Sequence, residues 1–198
     1  HVWAEKAAPP KPRVKLSAFE GIRRIDVEKR LVELDAKIVL REGDWLEQLA
    51  CAPGTREHES IFVVPARPSH IHFALLAIGL EPGAPMHWHG RGREVTVTPP
   101  HGERVAIFVI LERDGKQKLI PANEWIIDRR TQKPMEGNVW LFTGSKITEA
   151  PARNKPVYHA DINGTTISLV NFGDDLLARP TRRTNRDDEA IWGPATDR

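Results

Sequence analysis

Ser60-Ile61-Phe62-Val63-Val64, then Pro68-Ser69-His70-Ile71-His72-Phe73-Ala74-Leu75-Leu76-Ala77-Ile78-Gly79-Leu80-Glu81-Pro82-Gly83, is the stretch that sets the fold class. Ile61 to Val64 is an apolar run bounded by polar and turn residues, which suits a short buried strand. From residue 68 to 79 the period changes to that of a helix. Pro68 suits the first turn, and Gly79 followed by Pro82 stops it. Ile71, Leu75, Leu76 and Ile78 supply the apolar stripe.

Outward from this unit the chain reads mainly as strands. Val32, Leu34, Ala36, Ile38 and Leu40 alternate with Glu33, Asp35, Lys37 and Val39, which predicts a half-buried strand. Val105 to Leu111 is apolar on both faces and is expected to be a central strand. Asp114-Gly115 marks a hairpin turn into Lys118-Leu119-Ile120. Val139 to Phe142 is another strand. Val157 to Ile162 and Thr165 to Phe172 flank Asn163-Gly164, a strong hairpin signal. Asn123 to Ile127 suits a short helix or turn. The expected class is α+β, a mainly antiparallel sheet with hairpins and one or two packed helices.

The chain has 198 residues, enough for one domain with tails. Hydrophobic residues make up 40% and charged residues 28%, so a core can form. The formal net charge of +2 gives no electrostatic case for nucleic acid. No apolar run approaches the roughly 18 residues of a membrane-spanning helix. A single cysteine, Cys51, excludes an internal disulfide and a multi-cysteine metal site. Between Ala50 and Ala52 it reads as a buried, inert thiol.

Two clusters invite chemistry. Glu57-His58-Glu59-Ser60 places an imidazole between carboxylates. In a strand His58 and Ser60 would share a face, which suits a partner-binding or structural role better than acid–base work. Met86-His87-Trp88-His89 puts His87 and His89 on one side of a strand, about 7 Å apart at Cα. With Met86 nearby they form a candidate copper or zinc site, completed by His101 and either His70 or His72. A closed zinc site needs four ligands, so a solvated strand is the plainer reading and no cofactor is expected. Gly144-Ser145 lacks a nucleophile elbow and reads as turn chemistry.

The loop Cys51-Ala52-Pro53-Gly54-Thr55-Arg56-Glu57-His58-Glu59-Ser60, the strand and the Pro-Ser-started helix resemble the YdjY-like domain family of exported bacterial proteins. Ala122-x-x-Trp125-Ile126, Trp140-x-Phe142-x-Gly144-Ser145 and Asp161-x-Asn163-Gly164 extend the likeness from about Arg24 through Phe172. The segments Met86–Arg93 and after Pro180 depart from it. The resemblance carries no catalytic residues. It implies export, so a periplasmic or extracellular location is expected, although His1-Val2-Trp3-Ala4-Glu5 lacks the basic start and apolar core of a leader.

Three segments follow: an extended Pro-rich start over 1–21, a YdjY-like α+β domain over 22–178, and a polar tail over 179–198. Pro9, Pro10 and Pro12 pre-extend the first. Neither tail carries enough apolar surface to order itself. Trp3 and Trp192 are isolated aromatics there and read as anchors into a partner's pockets, with Arg182 and Arg183 adding register. The expected role is a non-catalytic accessory subunit of a larger assembly, docked through its tails onto other subunits or copies of itself. The alternative is a metal-binding protein using His87 and His89.

Overall fold

The computed structural model describes residues 19–43, 45–90, 94–150, 155–186 and 191–195. Trp3, Pro9, Pro10 and Pro12 lie outside them. The chain opens with an antiparallel ribbon, β1 (Ile22–Asp26) and β2 (Leu31–Leu34), followed by β3 (Lys37–Ile38). The Asp26 carboxylate accepts the Lys29 N–H and closes the β1–β2 turn. Next come β4 (Gln48–Cys51), a 3-10 turn over Glu57–Glu59, β5 (Ser60–Val63) and helix α1 (Pro68–Ala77). Every residue of β4 and β5 is buried, the polar Gln48 and Ser60 included.

Three short strands and a ribbon follow: β6 (His87–His89), β7 (Thr96–Thr98), β8 (Glu103–Val105), β9 (Phe108–Arg113) and β10 (Lys116–Pro121). A 3-10 turn over Ala122–Trp125 leads to β11 (Ile126–Asp128), β12 (Lys133–Pro134), β13 (Trp140–Phe142), β14 (Ile147–Ala150) and β15 (Lys155–Tyr158). Helix α2 (His159–Asn163), β16 (Ile167–Ser168), β17 (Leu177–Ala178) and β18 (Trp192–Pro194) complete the chain.

The central sheet runs β3-β5-β4-β16-β17-β13-β8. It is mixed: β4 lies parallel to β5 and β16 parallel to β17, while its other pairs are antiparallel. The α+β class holds, with several small antiparallel sheets around this mixed one. One core gathers Leu49, Ile61 and Phe62 of the sheet, Ile71 and Leu75 of α1, and Trp125, Trp140 and Phe142.

Three expectations are corrected. Val105 to Leu111 is not one central strand. The path breaks at Ile107, where the Asn138 side chain accepts its N–H (3.3 Å) and donates to its carbonyl (2.6 Å). β8 ends at the sheet edge and β9 leaves to form a separate ribbon with β10. Asn163-Gly164 is not a hairpin turn. Gly164 sits at φ 72° and closes α2 as its left-handed cap; helix caps and type I′ turns need the same conformation, so the dipeptide fits both.

The third correction concerns the C-terminal segment. Trp192 is only 8% exposed and belongs to this chain's own core, so it is not an outward anchor. β18 pairs with β11, and the Trp192 carbonyl accepts the Leu46 N–H at 2.9 Å. Arg179 is buried too. Its guanidinium donates to the carbonyls of Gly137 (2.7 Å), Val139 (2.8 Å) and Glu136 (2.9 Å). Burial lowers its pKa, and three carbonyl dipoles stand in for a counter-ion.

Candidate functional site

The β9–β10 ribbon carries three exposed large apolar side chains, Phe108, Ile110 and Leu119. Asp114 (φ 53°) and Gly115 (φ 70°) form its turn, the two positive dihedrals that a tight hairpin needs. Directly paired residues share a face: Val109 with Ile120, Ile110 with Leu119, Phe108 with Pro121. Val109, Leu111 and Ile120 turn inward and pack on the core. Phe108 (47% exposed), Ile110 (48%) and Leu119 (60%) turn outward. The apolarity on both faces read in the sequence is therefore real, but one face meets water. Three neighbouring apolar side chains on one ribbon face make it a candidate interaction surface.

The ribbon has two strands and so two outer edges. Lys116 and Lys118 lie on β10, and charged lysines discourage strand addition at its edge. β9 offers Phe108-Val109-Ile110-Leu111 with no charge before Glu112.

The remaining sequence candidates fall elsewhere. Glu57-His58-Glu59 is a 3-10 turn, not the start of a strand. Ser60 is fully buried and its Oγ donates to the Arg56 carbonyl at 2.7 Å, so it meets no partner. His58 is exposed and its Nε2 lies 3.6 Å from Glu59. Arg56 organises this turn: it bonds Glu59 (2.6 Å) and Glu47 (3.3 Å), and its guanidinium covers the Phe172 ring at 4.2 Å. Cys51 is fully buried.

His87 and His89 share a face of the β6–β7 hairpin, with ring centroids 4.4 Å apart. His89 Nε2 pairs with Thr98 Oγ1 at 2.8 Å. Met86 does not join them; it is buried and lines a cleft with Trp88 on the opposite face. His72 Nδ1 lies 3.1 Å from the Gly144 carbonyl and 2.9 Å from the Tyr158 hydroxyl, and burial lowers its pKa. Among the described residues no group of three or more His, Cys, Asp or Glu is placed to hold a metal. Arg182 is exposed, while the Arg183 carbonyl accepts the Asn171 N–H at 2.8 Å.

The family model of the YdjY domain matches residues 24–192. The chain belongs to the YdjY family. The match runs past 178 to the strand that Trp192 begins. Neither the curated proteins nor the solved structures gave a match.

The YdjY signature residues meet one another as joints of the fold. Asp161 of α2 caps α1, accepting the Ser69 N–H (2.8 Å), the Ser69 hydroxyl (2.7 Å) and Arg67 (2.8 Å). The Ala52 N–H donates to the Gly164 carbonyl, and a Cβ on Gly164 would lie 2.1 Å from Thr55 Oγ1. Ser145 sits at φ 63°; its Oγ donates to the Asp174 carbonyl (2.7 Å) and accepts the Ala160 N–H (3.1 Å). With both hydroxyl roles filled by backbone, Ser145 is turn chemistry in this YdjY domain. Desolvation, first, and the Asp161 charge push the Tyr158 phenol above its ordinary pKa, so it stays a neutral donor to Gly144.

Sequence reading missed Asn171, Asp174, Asp175 and Arg179, the buried polar set behind these joints. Their polarity is the one signal the sequence carries, and it points to a surface loop.

Proposed function

We propose that this YdjY protein is an exported, non-catalytic accessory subunit of a larger protein assembly. It docks through the outer face and open β9 edge of the β9–β10 ribbon. The observation that carries this reading is the solvent-facing row Phe108, Ile110 and Leu119. Completing the burial of three half-exposed side chains contributes roughly 3–4 kcal/mol in area terms. An added strand on β9 would supply main-chain hydrogen bonds as well. The partner is another protein subunit that presents an extended, apolar strand. The tail residues Trp3, Pro9, Pro10 and Pro12 would supplement this contact.

A photocrosslinking amino acid at Ile110, introduced in the source cells, should give one discrete adduct. The double variant Ile110→Glu, Leu119→Glu should keep the thermal midpoint yet leave the native complex. If that variant still co-purified with the same partners in the same proportion, the docking face would be wrong. The second reading, a copper or zinc site at His87 and His89, is favoured by the 4.4 Å approach of their rings. It requires further ligands from outside the described residues.

A further inference from the structure

On the other side of the β6–β7 hairpin lies a cleft of about 460 Å³. This falls within the roughly 300–1,000 Å³ of small-molecule sites. One wall is apolar: Met86, Trp88, Val95 and Val97. Trp88 and Val97 are paired across the hairpin, so they share this face, away from His87 and His89. The facing wall is a strap of chain in which alternate residues line the cleft: Arg182, Thr184 and Arg186. No acidic side chain lines it among the described residues.

Both walls are held by one turn, Asn171-Phe172-Gly173. The buried Asn171 side chain donates to the carbonyls of Thr181 (2.8 Å) and Arg183 (2.9 Å), pinning the strap on either side of Arg182. Two residues on, Gly173 receives the edge of the Trp88 ring. A Cβ there would lie 2.8 Å from the indole, and φ is +86°. The turn itself is fixed from beneath by Asp175, whose carboxylate accepts the N–H groups of Phe172 (3.0 Å) and Gly173 (3.1 Å). The Trp88 ring and the backbone on either side of Arg182 are set on one turn, so part of the site is pre-organised, which lowers the entropy cost of binding.

We propose that this cleft binds a small organic anion with an apolar body, a free hydrophobic carboxylic acid. Arg182 pairs with the carboxylate, in the planar fork geometry that suits guanidinium. Trp88, Val95 and Val97 cover the body of the ligand. Inorganic phosphate offers no apolar surface to that wall, and a neutral alcohol offers no charge to the strap. The site is separate from the β9–β10 ribbon, so either proposal can fail alone.

The test is calorimetric titration of the full chain with 2-naphthoate at neutral pH. One-to-one saturable binding is expected. 2-Naphthalenemethanol should bind at least about tenfold more weakly, a margin of about 1.4 kcal/mol. Arg182→Gln should weaken naphthoate by a similar factor without moving the thermal midpoint, since Arg182 is exposed. Inorganic phosphate should not compete. With ¹⁵N-labelled tryptophan, the indole signal lost in Trp88→Phe should be the one that shifts most on titration. The proposal is overturned by any of three results: no saturable binding, equal affinity for acid and alcohol, or largest shifts at another indole.

Discussion

Replacing Asp175 by asparagine should remove a loss of stability that the native protein suffers between about pH 4 and pH 7. Asp175 is fully buried. Burial first, and then the charge of neighbouring Asp174, raise its pKa from the ordinary 3.8 to about 7, against the pull of Ser168 and the Phe172 and Gly173 N–H groups. The folded protein thus keeps the proton over a range in which the unfolded chain has released it. Below about pH 4 both states are protonated and the group is neutral in effect. As pH rises toward 7 the unfolded state is increasingly favoured, and above 7 the full cost is in place. At about 1.4 kcal/mol per pH unit the ceiling is about 4 kcal/mol. Urea melts at pH 5, 6.5 and 8 should show the native midpoint falling by roughly 1–2 M, taking a slope of about 2 kcal/mol/M. In Asp175→Asn the new side chain still offers a carbonyl to the two N–H groups but does not titrate. His72, whose pKa burial lowers, acts in the opposite sense: it costs stability as pH falls through its ordinary 6.5. It is common to both proteins, so the difference between the two curves isolates Asp175. Parallel curves would refute the reasoning.

Arg179→Met should cost about 1–2 kcal/mol, because it removes the part-buried hydrogen bonds to the Gly137, Val139 and Glu136 carbonyls; an unchanged urea midpoint would contradict this. Trp192→Ala should cost about 3–5 kcal/mol as a core truncation. A melt equal to the native one would return Trp192 to the surface. Zinc and copper titrations of the isolated chain should give no stoichiometric submicromolar site, since two imidazoles fall short of a closed set. A tight site that disappears in His87→Ala would move the metal reading to first place.

Punctuation made parts of this fold legible. Pro68 and Gly79 bound a helix because one lacks an N–H that the first turn does not need and the other takes φ +82°. Asp114-Gly115 announces its hairpin for a similar reason. Asn163-Gly164 misleads because left-handed backbone serves two different structures. Val105 to Leu111 misleads because apolarity on two faces does not require burial on two faces, and one of them is a surface. Trp192 could not be read from its polar neighbours, since its burial depends on β11 and on Leu46, far away in sequence. The cleft was invisible for the same reason: Trp88 and Arg182 meet only through the 171–173 turn. The family match extends over both segments that build it, around Met86 and beyond Pro180.

The bond from Leu46 to Trp192 also sets the timing of folding. The segment that leads into β4 is bonded to the last strand, which itself pairs with β11 in mid-chain, and the Ala195 N–H reaches the Trp125 carbonyl at 2.9 Å. Contacts so distant along the chain slow the search for the native state. At roughly 5–20 residues added per second, Leu46 emerges on the order of ten seconds before Trp192 can reach it. During that interval the core that Leu49, Ile61 and Trp125 share with Trp192 is incomplete.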